Sequence, residues 1–307
     1  RPKSSAASDV YKRQMYEMPI FVLAWGVLLA GILQLLIQIL PLWQIKRLPV
    51  PKINFKNSGL RRFLKLVAPA ILAGGIIQIN LLVDTIFASL LETGSPTWLY
   101  VSDRLIQFPM GIFAIAIGTV LLPTLSKLDL KNQKIKFIES VHKGQRFVIF
   151  IAVPSLVGLF FCAEDLISTI FYRGAFTQID VLNSSYSLMA FSFGLPFFML
   201  MKVLTPAFFA RKDTKTPMYV AMVSLLLNAS LNYYLAFILD FGHIGIALGS
   251  SIAALISVLI LEFILYKDGF IKIKNIFNRF NIMILCSSLS LILFLNFYTN
   301  LTNFMEF

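Results

Sequence analysis

The sequence predicts an all-α, polytopic membrane protein with about eight transmembrane helices. Of its 307 residues, 58% are hydrophobic and only 14% are charged, and the mean hydropathy is +0.79. A soluble domain is closer to half apolar and about a quarter charged. The apolar residues form runs long enough to cross a hydrocarbon core of about 30 Å, which takes roughly 20 helical residues. In lipid, each backbone N–H and C=O must find its hydrogen-bond partner within the protein. Apolar runs of this length therefore predict helices and not barrel strands.

The elements follow in order along the chain. Residues 1–14 (RPKSSAASDVYKRQ) are polar and contain no apolar stretch, so they predict a disordered leader or one introduced by cloning, and not a signal peptide. Eight apolar runs then predict spanning helices at 18–42, 66–91, 98–125, 146–164, 183–208, 216–238, 243–265 and 280–299.

The segments between these runs alternate in charge. Lys and Arg are concentrated in 43–65, 126–145, 209–215 and 266–279, whereas the intervening connections and the C-terminal tail carry few basic residues. Cytoplasmic loops are enriched in Lys and Arg, so the basic segments are predicted to be cytoplasmic. The net charge of +12 therefore reflects membrane topology, and nucleic-acid binding is not expected. The basic residues of the leader would lie on the outer side, which is the one conflict with this pattern.

Several kinds of chemistry lack their sequence signals. Cys162 and Cys286 lie inside apolar runs, and His142 and His243 lie near predicted helix ends, where both are expected to be interfacial. Neither a disulfide framework nor a metal centre is expected. The motifs GxxxxGK[ST], GxGxxG, HExxH and GxSxG are absent. The sequence thus predicts no cofactor, no catalytic residue and no ATP-driven pump.

Charged residues inside the spans are the candidates for function, since a charge at bilayer depth costs about 2.5–3.5 kcal/mol on insertion scales. Arg104 suits a phosphate ligand because its planar fork donates two parallel hydrogen bonds. The alternative is snorkelling to the outer interface with Asp103 as counter-ion. Asp84 could cap, pair or line a cavity, and Lys202 and Glu262 could reach the cytoplasmic interface.

Proline and glycine beside Arg104 predict a hinge. Pro109 has no N–H to donate to the carbonyl of Leu105, and Gly111 and Gly118 loosen the same helix. In the second span, Gly74 and Gly75 are expected to permit close helix packing, with a hinge as the alternative.

Several long motifs resemble the MurJ/MviN family of lipid II flippases. They are APAILAGGIIQINLLVDTIFAS (68–89), WLYVSDRLIQFPMGIFAIAIGTVLLPTLSK (98–127), KVLTPAFFARKDTKTP (202–217) and the linker PKINF (51–55). The resemblance implies a two-lobe exporter fold of the multidrug/oligosaccharidyl-lipid/polysaccharide superfamily. Residues 15–65 would be the last helix of the first lobe and a basic cytoplasmic linker, 66–266 the second six-helix lobe, and 267–307 a cytoplasmic loop plus one additional C-terminal helix. The first five helices and the fourteenth of the family would be absent.

The resemblance also implies a function. The family moves lipid II, a lipid-linked peptidoglycan precursor, from the inner to the outer leaflet of the bacterial inner membrane by alternating access, in support of cell wall biogenesis and cell shape. Arg104 would then bind the pyrophosphate, with Asp103, Lys202 and Asp84 as further substrate-binding residues and Pro109 with Gly111 as the hinge. The expected partners are lipid II, membrane lipids and cell-wall synthesis proteins. An exporter of another polyprenyl-linked glycan or of a small cation, or a non-transporting membrane scaffold, remain the alternatives.

Overall fold

The computed structural model describes residues 19–44, 58–128, 130, 132–271, 287–288 and 290–291. Every regular element in those residues is helical, as the all-α prediction requires. The α-helices are α1 (Pro19–Gln44), α2 (Ser58–Ser89), α3 (Ser95–Pro109), α4 (Ile115–Ser126), α5 (Lys134–Phe161), α6 (Ala163–Phe171), α7 (Gln178–Ala210), α8 (Lys215–Tyr233) and α9 (Gly242–Lys267). A π-helical turn, Met110–Ala114, joins α3 to α4, and a second, Tyr234–Ile238, extends α8.

Seven of the described segments are long and apolar enough to cross a membrane, with α3–α4 counted as one and α8 with its π-helical turn as another. They confirm the polytopic α-helical prediction. The largest boundary error is in α5, which begins at Lys134, twelve residues before the predicted start at 146. A hydropathy run marks only the part of a helix that lies in lipid, whereas the helix itself continues through polar residues. The eighth predicted span, 280–299, lies outside the described residues except for four positions.

The short helix α6 was not predicted, because nine residues are too few to span the bilayer. Its acidic residues Glu164 and Asp165 fall in the first turn, where the helix dipole favours negative charge. Ala163 and Ile167 on its other face are fully buried. The connection between α5 and α7 is therefore a packed surface element.

The chain divides into two compact units, Arg1–Leu60 and Arg61–Phe307. The first contains α1. In the second unit α7 is the central helix, packed against α3, α4, α5, α6 and α9, while α8 packs mainly on α9. Fully buried side chains such as Leu188, Met199 and Phe208 of α7 form the middle of the core. The assignment of these helices to a second lobe stays a prediction.

Polar contacts fasten α3 to α7 and α9 at the predicted outer end. The indole Nε1 of Trp98 donates to Oδ1 of Asp180 at 2.7 Å, and Asp180 also closes a capping box with Thr177 at the start of α7. The Trp98 ring packs edge-on against His243, whose Nδ1 lies 2.7 Å from Oγ of Ser187. These contacts fix the start of α3, and with it the approach to Arg104.

A second set of contacts joins α5, α7 and α9 at the predicted cytoplasmic end. Arg211 forms an ion pair with Asp268 at 2.5 Å and lies over the ring of Phe270 at 4.2 Å from its centroid. Nζ of Lys134 donates to the carbonyl oxygen of Asp268 at 3.3 Å. The ends of three helices are thus held together by charge and by cation–π contacts.

The two histidines, expected at membrane interfaces, are both buried, at 9% exposure each. His142 faces Gln145 at 3.1 Å, and Nε2 of Gln145 donates to Oε1 of Glu262 at 3.0 Å. Glu262 therefore pairs with α5 instead of extending freely to the cytoplasm. A buried polar side chain inside a bundle is stable when a neighbouring helix supplies its partner.

Close helix packing was predicted at Gly74 and Gly75, but the described residues show it at Gly118, which was predicted to loosen its helix. A Cβ on Gly118 would lie 2.9 Å from the backbone carbonyl oxygen of Lys202, so α4 and α7 approach as closely as a glycine allows. In the described part of the chain, a Cβ on Gly74 or Gly75 would meet no atom within 4 Å. The helix face that carries these two glycines is open.

Gly118→Ala should lower stability, because the added Cβ forces α4 away from α7, and overpacking of this kind costs about 1–3 kcal/mol. The matched control is Gly74→Ala, which adds the same methyl group in open space and should be neutral or slightly stabilising through helix propensity. Thermal unfolding in detergent measures both. An equal loss in the two variants would contradict the packing argument.

Cysteine labelling tests the predicted orientation. Lys212 and Asp240 are exposed. Lys212 lies two residues beyond α7, and Asp240 lies two residues beyond the π-helical turn that extends α8. Both adopt a positive φ, at 62° and 58°, so a cysteine at either position is under similar backbone strain. In a background with Cys162→Ser and Cys286→Ser, a membrane-impermeant thiol reagent should label Asp240→Cys in intact spheroplasts. Lys212→Cys should be labelled only after permeabilisation. The reverse pattern would invert the topology.

Candidate functional site

A cavity of about 830 Å³ lies within the second unit, between α2, α3, α7, α8 and α9. Four of the five charged residues selected from the sequence, Asp84, Asp103, Arg104 and Lys202, line it, and Glu262 does not. Its volume lies within the range of roughly 300–1,000 Å³ that is typical of small-molecule sites. The structure thus brings the four residues to one place, and their roles in binding stay a prediction.

Arg104 presents its guanidinium group to the cavity without an anionic partner. It lies nine residues after Ser95, about 14 Å of helix rise from the start of α3. Its guanidinium carbon is 4.6 Å from the centroid of the Tyr100 ring. Among the described residues no carboxylate oxygen lies within 4.0 Å of its nitrogens. The group is therefore held by an aromatic face and is free to bind an anion.

Asp103, suggested from the sequence as a counter-ion in one alternative, forms no salt bridge with Arg104 in the described residues. Adjacent residues of a helix point about 100° apart, and Oδ2 of Asp103 accepts a hydrogen bond from Nε2 of Gln107, one turn further along α3. No ion pair to Arg104 forms in the described residues. The two charges share the cavity but not a salt bridge.

Lys202 lies at a different depth from Arg104. Its backbone carbonyl packs on Gly118, which follows Arg104 by fourteen residues, or about 21 Å of helix rise. It precedes the end of α7 at Ala210 by eight residues and is exposed to the cavity. With basic loops in the cytoplasm, Arg104 lies towards the outer side and Lys202 towards the inner side.

Asp84 is held by a network of neutral side chains that the sequence analysis missed. Nδ2 of Asn232 donates to its Oδ1 at 2.6 Å, and Nδ2 of Asn80 approaches its Oδ2 at 3.4 Å. Asn232 also donates to Oδ1 of Asn228 at 2.9 Å, and Asn228 donates to Oγ of Ser250 at 2.9 Å. The network connects α2, α8 and α9 across the cavity wall, and both oxygens of Asp84 are occupied.

A sequence signal for this network was present. Asn228 and Asn232 are spaced i, i+4 in an otherwise apolar helix, so their amides lie on one face. Only formal charges were selected from the sequence, although side-chain amides also seek partners across transmembrane helices. Gly249 belongs to the same pattern, because a Cβ there would overlap Oδ1 of Asn232.

The predicted hinge residues lie where the helix changes its hydrogen-bond pattern. Pro109 is buried at the end of α3, and Gly111 lies in the π-helical turn Met110–Ala114 that follows. Neither residue lines the cavity, although Met110 between them does. The break is therefore at the predicted position, and motion about it stays a prediction.

Among the described residues, no group of three or more His, Cys, Asp or Glu side chains is arranged to hold a metal ion. Cys162 is a free thiol, and Cys286 lies outside the described residues. In the described part of the chain, the cavity is lined by two cations without a salt bridge, a carboxylate with both oxygens hydrogen-bonded, a carboxylate with one oxygen hydrogen-bonded, and several neutral donors and acceptors. Such a set is suited to binding a charged polar ligand and does not include an activated nucleophile.

A family model described as lipid II flippase MurJ matches residues 7–306. The chain belongs to the MurJ family. A flippase moves a lipid across a membrane and catalyses no covalent reaction, so the family is one of transporters. Together with seven apolar spanning segments in the described residues, membership makes the chain a multi-pass protein of the bacterial inner membrane.

Curated MurJ relatives match most of this chain. A probable lipid II flippase MurJ of Vibrio cholerae is 40% identical over 253 residues, which cover 82% of this chain and 48% of the relative. A probable lipid II flippase MurJ of Buchnera aphidicola subsp. Acyrthosiphon pisum is 38% identical over 287 residues, which cover 94% of this chain and 56% of the relative. The lipid II flippase MurJ of Burkholderia cenocepacia is 31% identical over 289 residues, covering 93% and 56%. The chain spans about half the length of the curated relatives it matches.

Solved structures agree on the fold. A lipid II flippase MurJ in an inward closed conformation superposes with a TM-score of 0.64 at 32% identity, covering 81% of this chain and 51% of that structure. A eukaryotic MATE transporter superposes with a TM-score of 0.58 at 15% identity, covering 68% of this chain and 46% of that structure. At this low identity the MATE likeness shows the exporter fold alone.

Asn232→Ala should destabilise the MurJ-family chain, because Asp84 loses its shortest hydrogen bond and Asn228 loses a donor. Leaving buried polar groups unsatisfied costs about 1–3 kcal/mol. Ser230→Ala on the same helix is the control, since Ser230 is exposed and bonds only the carbonyl of Leu226. Thermal unfolding in detergent should show a lower midpoint for Asn232→Ala alone.

Proposed function

We propose that this chain is part of a lipid II flippase that moves its substrate from the inner to the outer leaflet by alternating access. The observation that carries the proposal is the unpaired Arg104 in the cavity of a chain whose relatives are described as lipid II flippases. An unpaired cation within the span is unfavourable unless it serves a ligand or a pathway. The cavity suits the polar head group, and the lipid tail would remain in the bilayer.

Arg104 would bind the pyrophosphate. Its guanidinium stays ionised under all physiological conditions and matches two phosphate oxygens with two parallel N–H groups. The face of Tyr100 holds the guanidinium plane without neutralising it. A preorganised side chain loses less entropy on binding, so Arg104 is a more effective anion ligand than a freely rotating cation would be.

Lys202 would contact the anion at a second depth. The Lys202 backbone packs on Gly118, which lies about 21 Å of helix rise beyond Arg104 along α3–α4. The two side chains would therefore reach a shared ligand from opposite ends of the cavity. The inner cation would meet a head group that enters from the cytoplasm, and the outer cation would meet it before release. The two depths thus favour a path through the cavity over a single static site.

Movement of the lobe would use the break after α3. The π-helical turn interrupts the regular i to i−4 bonding beside Pro109, so bending there disrupts fewer good hydrogen bonds than bending inside a regular helix. Helices interrupted near the midplane are common where transporters bind their substrates. Pro109 and Gly111 would act through the backbone and not by contact with the lipid.

The other hypotheses receive less support. The MATE transporters share the fold at 15–18% identity, which gives no support for a small cation as the substrate. A scaffold that transports nothing would not explain why Arg104 and Lys202 line the cavity without a salt bridge in the described residues. Contact with cell-wall synthesis proteins is a further hypothesis that the family resemblance suggests.

Complementation tests the proposal. The matched residues of this chain would replace the corresponding part of the Vibrio cholerae relative, and the chimera would be expressed in cells depleted of their own lipid II flippase. The chimera should restore growth, and Arg104→Ala should abolish it by removing the phosphate ligand. Arg104→Lys should restore growth partly, since it keeps the charge and loses the planar fork.

Arg173→Ala is the matched control, because Arg173 is an exposed arginine in the connection between α6 and α7, away from the cavity. It should grow like the unmodified chimera. Membrane levels of each variant would be measured by immunoblot. Normal growth of Arg104→Ala at normal membrane levels would refute the role of Arg104.

A further inference from the structure

The cavity contains two carboxylates, and their surroundings differ. Both oxygens of Asp84 accept hydrogen bonds from asparagine amides. Asp103 has one hydrogen bond within the described residues, from Nε2 of Gln107 to its Oδ2, so its Oδ1 has no donor there. Asp84 therefore uses its carboxylate to join α2 to α8, whereas Asp103 lines the cavity with one carboxylate oxygen that accepts no hydrogen bond in the described residues.

No cation of the cavity forms a salt bridge with Asp103 in the described residues. Arg104 lies over Tyr100, and no basic nitrogen of the described residues comes within 4.0 Å of the Asp103 carboxylate. Asp103 is half-buried, and a carboxylate in such a place is unfavourable until a charge or several donors compensate it. The missing positive group is one that a ligand can bring.

Gln107 adds a second acceptor at the same place. Its Nε2 is committed to Asp103, which leaves its carbonyl oxygen Oε1 unpaired, and Gln107 lines the cavity as well. Residues 103 and 107 lie on one face of α3, so the free oxygens of the two side chains are neighbours. One carboxylate oxygen and one amide oxygen suit a primary ammonium group, which has three N–H donors. A divalent metal would require more oxygen ligands than these two side chains provide.

We propose that Asp103 and Gln107 form a subsite for a protonated primary amine of the transported head group, beside the anion site at Arg104. The proposal rests on the proposed function and specifies its substrate: a head group with a phosphate and a free amine close enough to reach neighbouring positions of α3. Lipid II of the lysine type has this chemistry, because its stem peptide carries one free side-chain amine. Asp103 is then a specificity-determining residue and Arg104 a general anion ligand.

Binding to the full 307-residue chain in nanodiscs tests the subsite. Two probes are compared: lysine-type lipid II, and the same lipid acetylated on its side-chain amine. The unmodified chain should bind the free amine roughly tenfold more tightly, as expected for a charged hydrogen bond out of bulk water. Asp103→Asn retains an oxygen for Gln107 and loses the charge, so it should bind both lipids with the affinity of the acetylated form.

The controls separate the possible failures. Asp165→Asn, an exposed carboxylate on α6, should keep the tenfold preference. Equal binding of the two lipids by the unmodified chain would overturn the amine subsite and leave the proposed function standing. A preference that survives Asp103→Asn, or a loss of both lipids in that variant, would also overturn it, since Asp103 would then have another role. Failure of the chain to bind either lipid would count against the subsite and the flippase proposal together.

Discussion

The exclusion of water from lipid governs this structure. The core of a bilayer contains no water to hydrogen-bond a polar group. Polar side chains that water would hydrate in a soluble protein are therefore more stable when they bond to each other or to the backbone within the bundle. Buried serines return their hydroxyls to the carbonyl one turn back, as Ser192 and Ser257 do. Gln145 reaches across to Glu262, and Asn232 to Asp84. Against this background, a charge without a partner stands out, and Arg104 and Lys202 both face the cavity.

The same constraint explains how the cavity is held open. The outer contacts of Trp98 with Asp180 and the inner contacts of Arg211 with Asp268 fasten neighbouring helices to α7 at its two ends. Between them, the wall formed by α7 and α9 is tightly packed, and Ser251 of α9 donates to the carbonyl of Ala190 on α7 at 3.0 Å. In contrast, α2 is exposed along most of its length and touches the other helices near Asp84 and Ala88. The cavity therefore has one firm wall and one loosely held wall.

Hydropathy and loop charge were sufficient to predict the seven spanning segments of the described residues, because both follow from the bilayer and not from neighbouring helices. The short helix α6 gave neither signal. The same two signals were not sufficient for the start of α5, because 134–145 mixes charged and amide side chains with buried apolar ones such as Phe137 and Val141 and so forms no continuous apolar run. They also could not predict the π-helical turns, which depend on how successive helices fit. The charged cavity residues were found because the cost of a charge in lipid is independent of fold. The hydrogen bonds of Asn228 and Asn232, and the lack of a salt bridge between Asp103 and Arg104 in the described residues, depend on side-chain direction, which hydropathy and formal charge do not give.

The π-helical turn Met110–Ala114 has a consequence for sequence change within the family. A π-helical turn contains one residue more than the α-helical turn it replaces, and each residue of an α-helix turns the chain by about 100°. A single-residue deletion there would restore a continuous α-helix and leave α4 in nearly the same rotational phase, because the shorter α-helical turn covers about the same rotation. Gly118 would stay against the Lys202 carbonyl. A deletion at 115–117, inside regular α-helix, would instead turn Gly118 away by about 100° and bring a bulkier residue to the contact. The loss of one residue is therefore better tolerated at 110–114 than a few positions further along the same helix.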